Sequence, residues 1–328
     1  MRAIQIRAFG AAPEMTEIDR PTPQAGEISI DVAACGLNFA DLLMLSGKYQ
    51  DTPPLPFSIG MEISGTVAET GPGVTTFAPG QRVAAFIGNG GLAEVAVCAA
   101  ERCVPVPHSM PLINAAGFLI AYGTSHLALA HRARLQQGET LLVLGAAGGV
   151  GLTAVEIGAA MGARVIAVAR GKERLEVARA AGAAELIDST DPELDLRGIL
   201  KGLGGVDVVY DAIGEPLATP ALRALRPEGR FLAIGFAGGK VPQFPANILL
   251  VKNLTVIGLY WGGYLSFAPE TLTQSLRDLL DWYEAGRIRP HISHQLPFER
   301  FDEGLELLRS RSSTGKVVIE VAAAKPRI

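Results

Sequence analysis

The sequence predicts two domains, a mostly-β domain and a doubly wound α/β domain built on a six-stranded parallel sheet. Three observations carry this. Residues 1 to about 107 break into short alternating apolar and polar segments punctuated by Gly and Pro, the texture of a compact β domain. From about residue 140, short apolar runs alternate with helical patterns, as a parallel sheet with crossover helices requires. Between the first such run and its helix lies "LVLGAAGGVGL", residues 142–152, with four glycines and two alanines. The chain has 328 residues, 48% of them hydrophobic and 19% charged, enough for two cores and too apolar for disorder.

In chain order, "EISIDVA", "ISGTVAET", "QRVAAFI" and "LAEVAVC" read as strands of the first domain. The run "PLINAAGFLIAYGTSHLALA", residues 111–130, is long enough to raise the question of a membrane span. Asn114, Gly117, Gly123, Thr124, Ser125 and His126 interrupt it, and a buried helix and turn is the expectation. "TLLVLG" then opens the second domain as a buried strand. It is followed by a helix over 149–161, strand "RVIAVA" at 164–169, a helix over 172–181, and strands "AELID", "VDVVYDA", "GRFLAIG" and "LTVIGL". Past residue 264, Leu272, Leu276, Leu279, Leu280 and Tyr283 fall on one helical face, with Pro269 and Glu270 at its start. "GKVVIEVA" is a last strand, expected to return to the first domain. The expected division is 1–122 for the first part of the β domain, 123–264 for the α/β domain and 265–328 for the return.

Composition excludes several functions. A net charge of −4 supplies no basic field for nucleic acid. Cys35, Cys98 and Cys103 are too few and too scattered for a disulfide framework and fit a reducing, cytoplasmic compartment. "MRAIQIRAFG" alternates like a strand and lacks the apolar core of a signal peptide.

The glycine-rich stretch follows a buried strand and opens a helix. Counted as Ala146-x-Gly148-x-x-Gly151, it matches the dinucleotide fingerprint with Ala in the first position. Gly148 lets the backbone approach a pyrophosphate, Gly151 lets the helix pack closely on the strand, and the first-turn N–H groups of Gly149, Val150 and Gly151 face the anion. The end of the second strand selects the cofactor. Ala169 stands where NAD-binding chains place an acid for the ribose 2′-OH, and Arg170, Lys172 and Arg174 follow. Cations at a helix start are unfavourable without an anion, so this cluster is expected to clamp a 2′-phosphate, and NADP(H) is the expected cofactor.

The stretches "ACGLNFADLLMLSGKY", "LPFSIGMEISGTV", "AYGTSHLAL", "GAAGGVGL" and "NLTVIGLYWGGY" resemble the zinc-free quinone oxidoreductases of the medium-chain dehydrogenase/reductase superfamily. "PANILLVKNLTVIGLYWG" and "TGKVV" resemble its quinone oxidoreductase-like branch. The resemblance covers nearly the whole chain. It implies a GroES-like catalytic domain, a Rossmann domain, NADPH and a homodimer. It also implies that Asn38, Asp41 and Tyr49 line the cleft near the nicotinamide, with Asn38 or Tyr49 donating to a substrate carbonyl. For Asp41 a loop-cap role stays open. Thr124 would face the nicotinamide end of the cofactor, while Gly214 in "YDAIG" and Gly235 and Phe236 in "AIGFAG" close the strand ends over it. Lys316 would reach the cofactor phosphates, or else begin a solvated strand. Tyr260 and Trp261 would stack on a flat substrate or fill an interface.

Zinc-dependent relatives carry Cys where Asn38 stands and His where Met61 stands, and neither amide nor thioether suits catalytic Zn²⁺. The four-cysteine lobe of structural zinc is missing from the sequence, and His108, His126, His131, His291 and His294 show no ligand spacing. No metal site is expected. Without a Lewis acid the substrate must accept hydride readily, as an electron-poor quinone or conjugated enone does. The alternatives are an enoyl-thioester reductase and, from another class, a non-enzymatic nucleotide- or RNA-binding protein. The last Rossmann strand, "NLTVIGLYW", is strongly apolar and is the expected homodimer edge.

Overall fold

The computed structural model describes residues 1–321. The strands, in chain order, are β1 Arg2–Ile6, β2 Glu14–Glu17, β3 Glu27–Leu37, β4 Phe57–Ser58, β5 Glu62–Thr70, β6 Arg82–Phe86, β7 Val95–Ala99 and β8 Cys103–Pro105. Then come β9 Thr140–Leu144, β10 Arg164–Ala169, β11 Glu185–Asp188, β12 Val206–Asp211, β13 Leu225–Ala233, β14 Thr255–Gly258, β15 Ile292–Pro297 and β16 Lys316–Glu320. Five helices matter below: α1 Phe39–Leu45, α2 Gly149–Ala160, α3 Lys172–Ala180, α4 Ala246–Lys252 and α5 Pro269–Glu284.

Two compact units divide the chain, Met1–Ile120 with Pro290–Ile328, and Ala121–Arg289. The expected return segment, 265–328, is therefore split. Its helix α5 belongs to the second unit, where Leu272, Leu276, Leu279 and Leu280 are buried and Ser275 bonds His126 Nδ1 at 2.8 Å. The returning β15 and β16 belong to the first, and residues 322–328 lie outside the described residues.

The first unit holds a seven-stranded sheet with the path β15-β16-β3-β5-β6-β8, in which β7 also pairs with β3, and a small sheet β2-β1-β4. Long β3 organises it. Ile28, Ile30, Val32, Ala34 and Cys35 are buried along it, and β5, β7 and β16 all pair antiparallel to it. The second unit holds the sheet β11-β10-β9-β12-β13-β14, parallel at every pairing. Its central strand β9 is buried at all five positions, as a strand covered on both faces must be. The chain moves from β9 outward to β10 and β11, then crosses to β12, so the order reverses between β9 and β12. In open α/β sheets such a switch point is where ligands bind, beyond the strands' carboxyl ends.

The run at 111–130 breaks at Gly117 into helices Leu112–Ala116 and Leu119–His126, whereas Gly123, Thr124, Ser125 and His126 lie within the second, which continues as a wide helical segment Leu127–Arg132. Among the described residues no helix is long and apolar enough to cross a membrane.

Candidate active site and nucleotide-binding turn

At the end of β9 the chain must reverse sharply into α2, and Gly145 makes that reversal at φ +77°. Its N–H and that of Ala146 both donate to Val168 O at 3.0 Å, anchoring the turn on neighbouring β10. The turn glycine is thus Gly145, one residue before the Ala146 from which the fingerprint was counted. Gly148 precedes α2 with extended backbone and donates to Gly145 O at 3.0 Å. A Cβ on Gly151 would lie 2.0 Å from Gly145 O, so this position admits only hydrogen. A Cβ on Gly148 would meet nothing closer than 3.4 Å, which marks it as the open side of the cradle.

Sequence reasoning missed the residues that hold this cradle from below. Ser125 Oγ and Thr153 Oγ1 donate to Val150 O at 2.9 and 3.0 Å, and Ser125 also meets Tyr210 OH at 3.0 Å. All three hydroxyl residues are buried, and the adjacent Thr124 is buried too. Across the switch point, Asp211 ends β12 beside Leu144 of β9. Its Oδ1 accepts the N–H groups of Ile213 and Gly214 at 2.8 and 2.9 Å, which shapes the loop that Gly214 turns at φ +84°. Its Oδ2 is buried with no protein partner. Burial pushes this carboxyl up. Gly235 donates to Asp211 O at 3.2 Å, and the next residue, Phe236, is exposed.

Beyond β10, Ala169 is buried and Arg170 and Lys172 are exposed, with Arg174 one turn into α3. Gly171 bends the segment at φ +80° and donates to Asp188 Oδ1 at 2.9 Å. Asp188 also takes both the N–H and the hydroxyl of Thr190, and these bonds hold its carboxyl below the usual range. Asp188 is therefore spent on fixing the basic loop. Partial burial and the like charge of Arg170 push the Arg174 guanidinium down. A glycine cradle, a carboxylate oxygen of Asp211 without a protein partner at the switch point and a bent loop carrying Arg170, Lys172 and Arg174 together fit an NADP(H) molecule.

In the first unit, β3 ends at Leu37 and Asn38 begins α1. Lys316, the first residue of β16, is 5% exposed, and its ammonium has three acceptors: Leu37 O at 2.8 Å, Asn38 Oδ1 at 2.7 Å and Glu62 Oε1 at 2.7 Å. Glu62, at the start of β5, is fully buried, and its other oxygen accepts the N–H of Ile120 at 3.0 Å. Asn38 Nδ2 donates to Glu62 Oε1 at 3.0 Å and to Gly36 O at 3.2 Å. An ammonium can only donate and a carboxylate only accept, so the amide has one possible orientation. Gly36 is required beneath this cluster, since a Cβ there would lie 2.1 Å from Ala116 O.

These bonds correct three readings from the sequence. Lys316 is neither a phosphate contact nor a solvated strand start, because its three protons are used inside the first unit. Asn38 is not a donor to substrate, because both its amide protons are committed. Asp41 takes the cap role: fully buried, it accepts the N–H of Asn38 at 2.8 Å on one oxygen and that of Gly60 at 3.0 Å on the other. Burial pushes its carboxyl up to about 6 against the opposing pull of those two bonds. Tyr49 lies half-buried in the bend after α1. Glu62 escaped sequence reasoning because its partner lies 254 residues away.

Fold and site together define a two-unit dehydrogenase of the nucleotide-binding type. Residues 24–108 match the alcohol dehydrogenase GroES-like domain family, and residues 149–282 match the zinc-binding dehydrogenase family. The chain is 39% identical over 312 residues to quinone oxidoreductase-like protein 2 of Bos taurus, covering 94% of this chain and 89% of that one. It is 31% identical to the quinone oxidoreductase of Rattus norvegicus, covering 97% of each. Among solved structures it is similar to the Thermus thermophilus quinone oxidoreductase, described also in complex with NADPH, at 31% identity and a TM-score of 0.86 over 98% of this chain and 100% of that one. The Escherichia coli quinone oxidoreductase complexed with NADPH superposes at 28% identity and 0.89 over the same shares. The chain belongs to the quinone oxidoreductase family of the medium-chain dehydrogenase/reductase superfamily. It is an oxidoreductase, not a non-enzymatic nucleotide- or RNA-binding protein.

The zinc in one family's description does not fit this chain. Asn38 and Met61 offer an amide and a thioether where zinc-dependent relatives offer thiolate and imidazole. The Lys316 ammonium, moreover, already lies among the oxygens of Leu37, Asn38 and Glu62. Among the described residues no group of three or more His, Cys, Asp or Glu side chains could hold a metal ion.

Proposed function

We propose that this protein is a zinc-independent, NADPH-dependent reductase that delivers hydride to a quinone or a conjugated alkene. One observation supports the reading: beside Asn38, which stands where zinc-dependent relatives carry a cysteine, lies the ion pair of Lys316 with Glu62. A substrate handled there must be electron-poor enough to accept hydride with hydrogen-bond help alone, which describes quinones and enones and not simple ketones. The family's names point the same way.

Gly145, Gly148 and the first turn of α2 hold the pyrophosphate, and Arg170, Lys172 and Arg174 hold the 2′-phosphate. Bound NADPH supplies the hydride. With Asn38 and Asp41 committed to the architecture of α1, Tyr49 is the donor to the substrate oxygen, where negative charge develops as hydride arrives. The enzyme works as a homodimer joined along β14, in the cytoplasm.

Reduction of an enone with NADPH deuterated at the transferred position tests this. The product should carry deuterium on carbon. Tyr49→Phe should lower kcat by about tenfold to a thousandfold while leaving NADPH affinity nearly unchanged. Unlabelled product, once solvent exchange is excluded, would rule out direct transfer.

A further inference from the structure

Lys316 is the least expected charge in the molecule. A fully buried Glu62 and a 5% exposed lysine are costly to desolvate, and folding alone would be served as well by two apolar side chains. The pair is nonetheless completely satisfied. The ammonium has three oxygen acceptors for its three protons, and both oxygens of Glu62 are bonded. What it fixes is specific: the carbonyl that ends β3, the amide of Asn38 that opens α1, and the carboxylate that opens β5. Residues 38–49 run from that amide through α1 to the bend that holds Tyr49. Asn38 N–H donates to Asp41, Lys48 N–H donates to Leu43 O at 2.9 Å, and Thr52 folds back on Tyr49 O through its N–H at 3.2 Å and its hydroxyl at 2.6 Å.

We propose that the Lys316 ammonium is a tethered internal cation that fills the three-oxygen pocket of Leu37, Asn38 and Glu62, and that it acts as a positioning residue for the α1–Tyr49 segment. It touches neither substrate nor cofactor. Its role is to hold one amide orientation and one start for α1, so that the donor after the helix keeps its place. The positioning part rests on the reading of Tyr49 as donor given above; the filled-pocket part does not.

Two experiments on the full-length protein separate these parts. In the first, K316A opens a pocket shaped for an alkylammonium ion, and thermal unfolding is followed with added n-propylammonium chloride. The variant's melting temperature should fall and then rise with the concentration of n-propylammonium, which can donate three hydrogen bonds. Tetramethylammonium, which can donate none, should not restore it, and the unsubstituted protein should respond to neither ion. An equal response to both ions, no response to either, or a variant left unfolded with n-propylammonium present would overturn the cation-pocket assignment. In the second, K316M/E62Q removes both charges while keeping side-chain volume, so no carboxylate is left buried alone. With a quinone as acceptor, kcat should fall about tenfold or more while KM for NADPH stays within about twofold, because the glycine cradle and basic loop lie in the other unit. An unchanged kcat in a folded K316M/E62Q protein would overturn the positioning role. If the unsubstituted protein reduces no quinone or enone, the functional reading fails and with it the positioning role, whereas the n-propylammonium result still decides the pocket.

Discussion

Gly151 sits where a methyl group has no room, and Gly148 sits where it has some. That difference separates a packing role from a binding role within one turn. Gly151→Ala drives a Cβ onto Gly145 O at 2.0 Å, a backbone oxygen of a residue whose N–H is anchored on β10. Overpacking of this kind should cost about 1–3 kcal/mol, read as a lowered melting temperature. Gly148→Ala meets only the 3.4 Å contact and should melt close to the parent, yet its methyl stands in the approach of a phosphate, and the NADPH Kd should rise about tenfold by fluorescence titration. Equal melting of the two variants would undo the assignment. The basic cluster makes a second residue-scale prediction. NADPH should bind at least about tenfold more tightly than NADH, a difference of about 1.4 kcal/mol, and changing Arg170, Lys172 and Arg174 together to Ala should erase it. Equal affinities in the unsubstituted protein would be the contrary result. Much of this was legible in the sequence, because a phosphate cradle is local: strand, glycines and helix start lie within a dozen residues. Even so, the turn glycine is Gly145 and not the position one later, since counting a motif does not reveal which residue takes positive φ.

At the scale of elements, the parallel sheet was readable and the ion-pair cluster was not, for a common physical reason. Strands β9, β10 and β12 are buried on both faces, so their sequences are apolar runs visible without tertiary knowledge. The cluster under α1 joins ends of β3, β5 and β16, and no local pattern announces that Glu62 and Lys316 meet. A charged residue at a strand start looks solvated until the topology is known. The same holds for Asp41, which reads as a cleft residue or a cap from sequence and is a buried cap in the fold. Its carboxyl, pushed up to about 6 by burial, gives this element a pH dependence. The folded-state value lies above the unfolded value of about 3.9, so between these pH values the native state binds more protons than the unfolded chain. Stability from this group is therefore present below about pH 4 and is lost as pH rises through about 6, to the extent of about 3 kcal/mol. Asp41→Asn, which does not titrate, forfeits one of the two N–H bonds at every pH. The parent's stability measured relative to Asp41→Asn should thus fall as pH rises from 4 to 6.5 in paired denaturant titrations. A difference that grows with pH would mean that the two N–H bonds outweigh burial and the shift has the opposite sign.

For the molecule as a whole, the second unit's sheet ends, among the described residues, in the edge strand β14. Among the described residues β14 pairs with β13 on one side and has no strand on the other. Edges of this kind are usually blunted by charge, proline or a covering segment. Here the flanking residues do the reverse: Leu250 and Val251 of α4 are 78% and 74% exposed, and Tyr260 just past the strand is also exposed. Trp261 is already buried, packed where a Cβ on Gly123 would lie 2.6 Å from its Nε1, so the expectation that either aromatic fills an interface narrows to Tyr260. An exposed apolar patch beside an open strand edge is the pattern of an association surface. A two-fold axis past β14 would pair it with its own copy, satisfy its outward N–H and C=O groups, and bring each α4 patch beside the other chain. Light scattering at micromolar concentration should therefore give about twice the chain mass of 34.4 kDa. Charging the patch with Leu250→Glu and Val251→Glu should halve that mass, and because neither side chain is buried in the monomer, the far-ultraviolet circular dichroism should hardly change. A monomer mass for the unsubstituted protein would show that this edge is left open, and that something other than a second copy keeps it from aggregating.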